Sequence, residues 1–531
     1  MGNDSLGKIT PGTTPLSADM VAYEGVVPRV GDYVVIEDGN SKVLGMITEV
    51  VRGAFELERD DLLQANYYDR ILELVETPSN WIKASIKMIG VLEGSKITGL
   101  PKVPISPAAD VKRAPTEILS EIFKPEGGGV RIGKLITRDD VEVHLDPDEM
   151  ISRHLAILAV TGAGKSNAVA VILEEVVKMG GVALLFDVHS EYIDIAFDCP
   201  NCRVEVMEPK VDPATLSLDE TARLIGISYE SAAKMYIYLR RAYLSSKKLL
   251  ARGELGRYIR DAGIEADSDD MLAGIHAIVK LSTEDNSSDD EYLLQYESRD
   301  RDSVMSLLAR LEYVRERYSR VLVPYAGEIV DHLDFGKLVV VDLGSLDSEL
   351  TDIVVGKTLM TLLRRAKAKR MGYEDSEIPL PVFAVLEEAH ALIPSSEKTY
   401  TSAAAAQIAK EGRKFGVGLC LVSQRPKGLN SDILSQMVNK IVLKIIEPED
   451  QAYVRRATEF LSEDMLKYLP SLDTGEAVIV GPMIRIPAIV KIRLSTAKRK
   501  GESLRARELW RKGIEGKFEE FQDDYYSSIG G

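Results

Sequence analysis

Apolar positions along the chain follow two rhythms. Over residues 1–100 they fall in short β-branched runs separated by turn residues. Val26 to Ile36 leads into Glu37-Asp38-Gly39-Asn40 and then into Val43 to Val51, a pattern that predicts a β-hairpin. Ser85 to Leu92 predicts a further strand, and the segment reads as a small N-terminal β-barrel. Pro101, Pro104, Pro107 and Pro115, followed by Gly127 to Gly129, mark a connection over 101–129. From 130 to about 495, strand-like runs alternate with helical spacing, which predicts an α/β domain with a mainly parallel sheet. Its expected strands are Leu155–Val160, Val182–Asp187, Leu338–Asp342, Val382–Glu387, Gly418–Ser423 and Lys440–Ile445. Between the second and third, residues from about 210 to 330 repeat apolar positions at helical spacing, as in Met305 to Glu312, and read as a helical insertion. The tail, 496–531, turns basic and then acidic and aromatic.

Composition narrows the class. With 531 residues the chain exceeds a single core, and 45% hydrophobic with 28% charged residues is ordinary for a globular protein. Met1 to Leu6 has no apolar core of a signal peptide, and no apolar run approaches the roughly 20 residues of a membrane span, so the chain reads as cytoplasmic with no membrane partner. A net charge of −17 argues against nonspecific coating of nucleic acid, but permits a ring with a basic channel and an acidic exterior. Of the three cysteines, Cys199 and Cys202 form the only close pair. They lack two further ligands for zinc and read as a loop carrying two thiols or a bridge.

The chemistry begins at Ala159-Val160-Thr161-Gly162-Ala163-Gly164-Lys165-Ser166, placed after a buried strand and opening a helix from Asn167. Glycines let backbone N–H groups curl around phosphates, and the helix N-terminus favours their charge. Thr161 to Asn167 are thus the expected nucleotide cradle for ATP, with Lys165 on the β- and γ-phosphates and the Ser166 hydroxyl on Mg²⁺. Pro381 to His390 ends a buried strand in two acids. Glu387 is expected to reach the metal through water, Glu388 to act as general base, and His390 to be structural. Asp187, closing the neighbouring strand, can face the phosphates or brace the loop. Gln424, in Ser423-Gln424-Arg425-Pro426, stands where a side chain can sense the γ-phosphate. Arg413 ends a helix and can present a guanidinium to a neighbouring subunit's nucleotide, with Arg153 a second arginine near the loop.

Taken together, the barrel, the P-loop, Phe186 to Tyr192, Leu386 to His390, Gly412 to Gly416 and Ser423 to Pro426 resemble the HerA–FtsK branch of RecA-like P-loop ATPases, and HerA within it. The resemblance implies a homohexameric ring that moves along duplex DNA with the NurA nuclease in end resection for recombinational repair. It matches Lys165, Glu388 and Arg413 to the family's Walker lysine, catalytic glutamate and trans-acting arginine, and implies that the tail braces the next subunit. Lys398, Tyr400, Arg425 and Lys427, on loops after the catalytic strands, are the expected DNA contacts. A DNA pump without a nuclease and a nucleotide-driven protein remodeller are the alternatives.

Overall fold

The computed structural model describes residues 5–54, 80–285, 289–373, 377–458 and 463–497. The basic and acidic stretches expected beyond Ala497 lie outside them.

Seven strands build the N-terminal barrel: β1 (Ser5–Ile9), β2 (Ser17–Ala22), β3 (Tyr33–Asp38), β4 (Ser41–Ala54), β5 (Asn80–Glu93), β6 (Lys96–Thr98) and β7 (Asp110–Arg113). Their order is β2-β1-β7-β3-β4-β5-β6, and β2 also pairs with β5, so six strands close on themselves and leave no open edge. The expected hairpin is β3–β4, with Asp38 opposite Ser41 and Gly39 at φ 58° in the tight turn between them. β7 lies inside the stretch expected as a connection, where it pairs with both β1 and β3. Alternation decides what each face of β3 covers. Val34 and Ile36 fill the barrel, whereas Tyr33 and Val35 join Leu119 and Phe123 in the larger core of the second domain.

That domain carries an eleven-stranded sheet. Its strands are β8 (Val130–Leu135), β9 (Arg138–Leu145), β10 (Leu155–Leu158), β11 (Val182–Asp187), β12 (Arg203–Met207), β13 (Lys337–Asp342), β14 (Val382–Leu386), β15 (Val417–Ser423), β16 (Asn439–Val442), β17 (Glu476–Val480) and β18 (Ala488–Ile492). The order β12-β13-β11-β14-β15-β10-β16-β17-β18-β8-β9 is parallel as far as β16 and antiparallel beyond it. Burial on both faces explains the unbroken apolar runs of β10, β11, β14 and β15. Register aligns their ends, with Leu158 beside Ser423 and Leu386 beside Phe186 and Leu421. The loops that follow these four strands therefore gather at one edge of the sheet, where open α/β sheets place their ligands.

The helical insertion, from Leu218–Leu224 to Arg301–Arg317, departs after β12 and returns before β13, so an edge strand intervenes that sequence periodicity did not predict. Cys199 and Cys202 are joined in a disulfide just before that strand. No helix among the described residues is long and apolar enough to cross a membrane.

Candidate nucleotide-hydrolysis site

The loop after β10 turns at Gly162 and Gly164, with φ of 79° and 100°, in the left-handed region where a side chain would be strained. A Cβ on Gly164 would also stand 3.1 Å from the amide nitrogen of Gly475. The helix Lys165–Lys178 starts at Gly164 without a side-chain cap, which leaves its first N–H groups to an anion. The loop rests on its neighbours: Ala159 N–H donates to Ser423 O at 3.2 Å, Val160 N–H to Lys444 O at 3.0 Å, and Gly475 N–H to Ala163 O at 2.9 Å. The segment around Thr474 and Gly475, which flanks the P-loop just before β17, was not legible from motifs.

Lys165 is buried, and its ammonium lies between the two acids that end β14. It is 3.1 Å from Glu387 Oε2 and forms a second ion pair with Glu388. Glu388 stands at φ 45°, in the left-handed region a glutamate holds only where its surroundings impose it. Gln424 Nε2 donates to Glu388 Oε1 at 2.7 Å, and His390 Nδ1 lies 3.2 Å from Oε2. Burial pushes the Glu388 carboxyl up, but the His390 hydrogen bond and the Lys165 charge outweigh it and hold the group at about 2. The Thr161 hydroxyl donates to Gln424 Oε1, so the P-loop, Gln424 and Glu388 form one chain of hydrogen bonds.

Beside this network, the Ser166 hydroxyl donates to Glu191 Oε2 at 2.7 Å. Glu387 is engaged elsewhere, accepting from the Tyr192 hydroxyl as well as from Lys165. Asp187 braces the loop: it accepts from the His189 N–H at 3.3 Å and the Tyr192 N–H at 2.7 Å, and burial pushes its carboxyl up to about 6. The Asn167 side chain is engaged with the segment after β18. Its amide donates to Arg493 O at 2.8 Å and accepts from Ser495 N–H at 3.0 Å, tying the first turn of the helix to the segment after β18. Glu191 and Tyr192 belong to the Phe186 to Tyr192 motif, but their acid and phenol carried no assigned role until the fold brought them to Ser166 and Glu387.

The arginines lie elsewhere. Arg413 is exposed in the last turn of Tyr400–Phe415, just before β15 begins, while Gln424 follows that strand's far end. Seven strand residues put roughly 20 Å between them. Arg153 precedes β10 at the same far edge and pairs with Glu149 at 2.9 Å. Its neighbour His154 would stand 3.4 Å from a Cβ on Gly412, which brings the two arginine-bearing turns together. The expectation that Arg153 lies near the loop of its own chain is therefore corrected: β10 separates them. Neither arginine reaches the P-loop that its own chain carries.

Of the four expected DNA contacts, Tyr400 is turned inward. Its hydroxyl donates to Glu220 Oε1 at 2.9 Å, and its ring lies 2.6 Å from where a Cβ on Gly356 would stand. Lys427 is exposed but paired with Glu449 at 2.9 Å. Lys398 and Arg425 are exposed, and neither forms a salt bridge among the described residues.

Comparison with known proteins matches three family models along the chain: a HAS barrel domain over residues 6–94, the central domain of helicase HerA over 130–362, and a HerA-like C-terminal domain over 361–497. The DNA double-strand break repair helicase HerA of Sulfolobus acidocaldarius is 39% identical, over 92% of this chain and 93% of its own. The protein of that name from Sulfurisphaera tokodaii is 36% identical over 96% and 97%. Probable helicase MJ1565 of Methanocaldococcus jannaschii is 37% identical over 96% and 95%. With relatives matched at this identity over nearly their whole length, the chain belongs to the HerA family of helicases and is a P-loop ATPase.

Proposed function

We propose that this protein hydrolyses ATP to drive a ring of identical subunits along duplex DNA, in the repair of double-strand breaks. The observation that carries the reading is Lys165 held between Glu387 and Glu388 at the foot of an uncapped P-loop helix. The uncapped N–H groups and Lys165 take the phosphates. As the ammonium turns to the γ-phosphate, Glu388 loses one of the two partners that lower its pKa, His390 being the other. Gln424 and His390 keep the freed carboxylate oriented, and it accepts the proton of the attacking water. Bound with the nucleotide, Mg²⁺ supplies charge neutralisation at the phosphate oxygens. Its fit rests on hard oxygen donors, the Ser166 hydroxyl and nearby carboxylates. Among the described residues no cluster of three or more ligating side chains stands ready for a metal, which suits an ion held largely by phosphates.

Arg413, at the far edge of the sheet, serves a neighbouring copy's nucleotide, which makes assembly a condition of turnover. Lys398 and Arg425 are the proposed DNA contacts, since Tyr400 and Lys427 are otherwise engaged. The HerA resemblance supports a homohexamer working with the NurA nuclease in end resection, with the tail over 496–531 bracing the adjacent subunit. Steady-state ATP turnover without DNA, with duplex and with single strands tests the reading. Duplex is expected to stimulate most, and a rate indifferent to all nucleic acid would refute DNA as the track.

A further inference from the structure

We propose that Glu191 is the acid on the metal side of this site, a role the double-acid motif would give to Glu387; the assignment rests on the hydrolysis reading above. A serine offers a lone pair to a cation with its proton pointed elsewhere, and a carboxylate is a suitable acceptor for that proton. Here that acceptor is Glu191, whose Oε2 takes the Ser166 hydroxyl at 2.7 Å. Both oxygens of Glu387 are already engaged in other contacts. Its Oε1 accepts from the Tyr192 hydroxyl, and its Oε2 from Lys165 at 3.1 Å and from the Glu388 N–H at 3.3 Å.

The loop that carries Glu191 is pinned on both sides of it. Asp187 takes the backbone N–H of His189 and of Tyr192, and the Ser190 hydroxyl donates to Asp342 Oδ1 at 2.7 Å. Ser190 sits at φ 55°, a conformation a serine holds only where its surroundings impose it. Glu191 itself is exposed, so its carboxylate can accept from water on a cation as well as from Ser166. The site thus has two acidic arms with separate duties. The arm from β14 holds Lys165 and the attacking water, and the arm from the loop after β11 orients Ser166 toward Mg²⁺.

The test titrates Mg²⁺ against binding of a fluorescent, non-hydrolysable ATP analogue by the full-length protein, with Mn²⁺ binding followed by electron paramagnetic resonance. Glu191→Gln is expected to raise the Mg²⁺ concentration at half-effect about tenfold or more, as losing an orienting partner of a metal ligand does. Glu387→Gln is expected to shift it by less than about threefold, and Glu191→Asp to fall between wild type and Glu191→Gln. Unchanged Mg²⁺ dependence in Glu191→Gln, or a larger shift in Glu387→Gln, would overturn this assignment while the hydrolysis reading stands. If the unsubstituted protein bound no analogue with or without Mg²⁺, the hydrolysis reading would fall and this assignment with it.

Discussion

Gln424 and Glu388, at the ends of the adjacent parallel strands β15 and β14, are joined by a 2.7 Å hydrogen bond from amide to carboxylate. Because Gln424 also accepts from Thr161, a shift of the P-loop around a phosphate reaches the proposed base through one side chain. Gln424→Ala should therefore bind ATP but turn it over about 10- to 100-fold more slowly, the range for losing a hydrogen bond to a charged group. Gln424→Glu should move the acid limb of the pH–rate profile upward, since a second carboxylate beside Glu388 raises its pKa. A profile unmoved by Gln424→Glu would remove Gln424 from the proton-accepting network.

Glu388→Gln keeps the shape of the carboxylate but cannot take a proton. Hydrolysis should fall by at least ~10²-fold with nucleotide affinity retained, as single-turnover rates and equilibrium binding measured together will reveal. A slow Glu387→Gln beside a fast Glu388→Gln would exchange the two assignments.

Removing Lys165 has a structural cost as well as a chemical one. Lys165→Ala should abolish turnover, and at neutral pH it leaves Glu387 and Glu388 buried without their shared cation. Breaking a buried pair costs about 3–5 kcal/mol, so the variant should unfold at lower denaturant than wild type. Protonating one acid relieves the repulsion, and the gap should narrow as the pH falls from 7 toward 5. A gap that widened on acidification would show that the pair does not hold the apo site together.

Asp187 sets a pH dependence of opposite sign to that of a salt-bridged acid. Its folded pKa of about 6 lies above the ordinary 3.8, so the folded state binds the proton more tightly than the unfolded chain does. Its contribution is fully present below about 3.8 and is lost as pH rises through 6, a loss of roughly 3 kcal/mol across that interval. Asp187→Asn should remove this decline between pH 4 and 6 in denaturant midpoints. An unchanged slope would mean that the carboxyl is already ionised there.

The position of Arg413 predicts complementation. Chains carrying Arg413→Ala and chains carrying Lys165→Ala, each inactive alone, should regain ATP turnover when mixed and allowed to exchange. An intact P-loop then faces an intact Arg413 from the neighbour. Zero recovery in rings shown by tagged pull-down to be mixed would sink the trans-acting role. The same mixing with Arg153→Ala would show whether the other arginine at that edge shares it.

The parallel centre of the sheet was legible because burial on both faces writes long apolar runs, and the P-loop because phosphate geometry demands glycines. The antiparallel flank was not. Val130–Leu135 and Arg138–Leu145 mix charge into short strands, and β8 finds its partner β18 some 350 residues away, a distance no local pattern records. Lys165 and Glu388 could each be picked out from their motifs, yet neither their ion pair nor the division of labour among the acids could. That division depends on Tyr192 reaching Glu387 and Ser166 reaching Glu191, contacts made only once the loop after β11 is folded.

The pairing of β18 with β8 and the bond from Gly475 to Ala163 impose a timetable on synthesis. The P-loop is made at residues 159–166, whereas the backbone beneath it and the strand that closes the sheet's flank follow more than three hundred residues later. On the ribosome, β8 can pair with β9 at once but waits for β18 while nearly the whole ATPase domain is translated. The nascent protein can curl its glycines into a phosphate loop early, but that loop has no floor until residue 475 has emerged. The phosphate loop and its support are thus made more than three hundred residues apart.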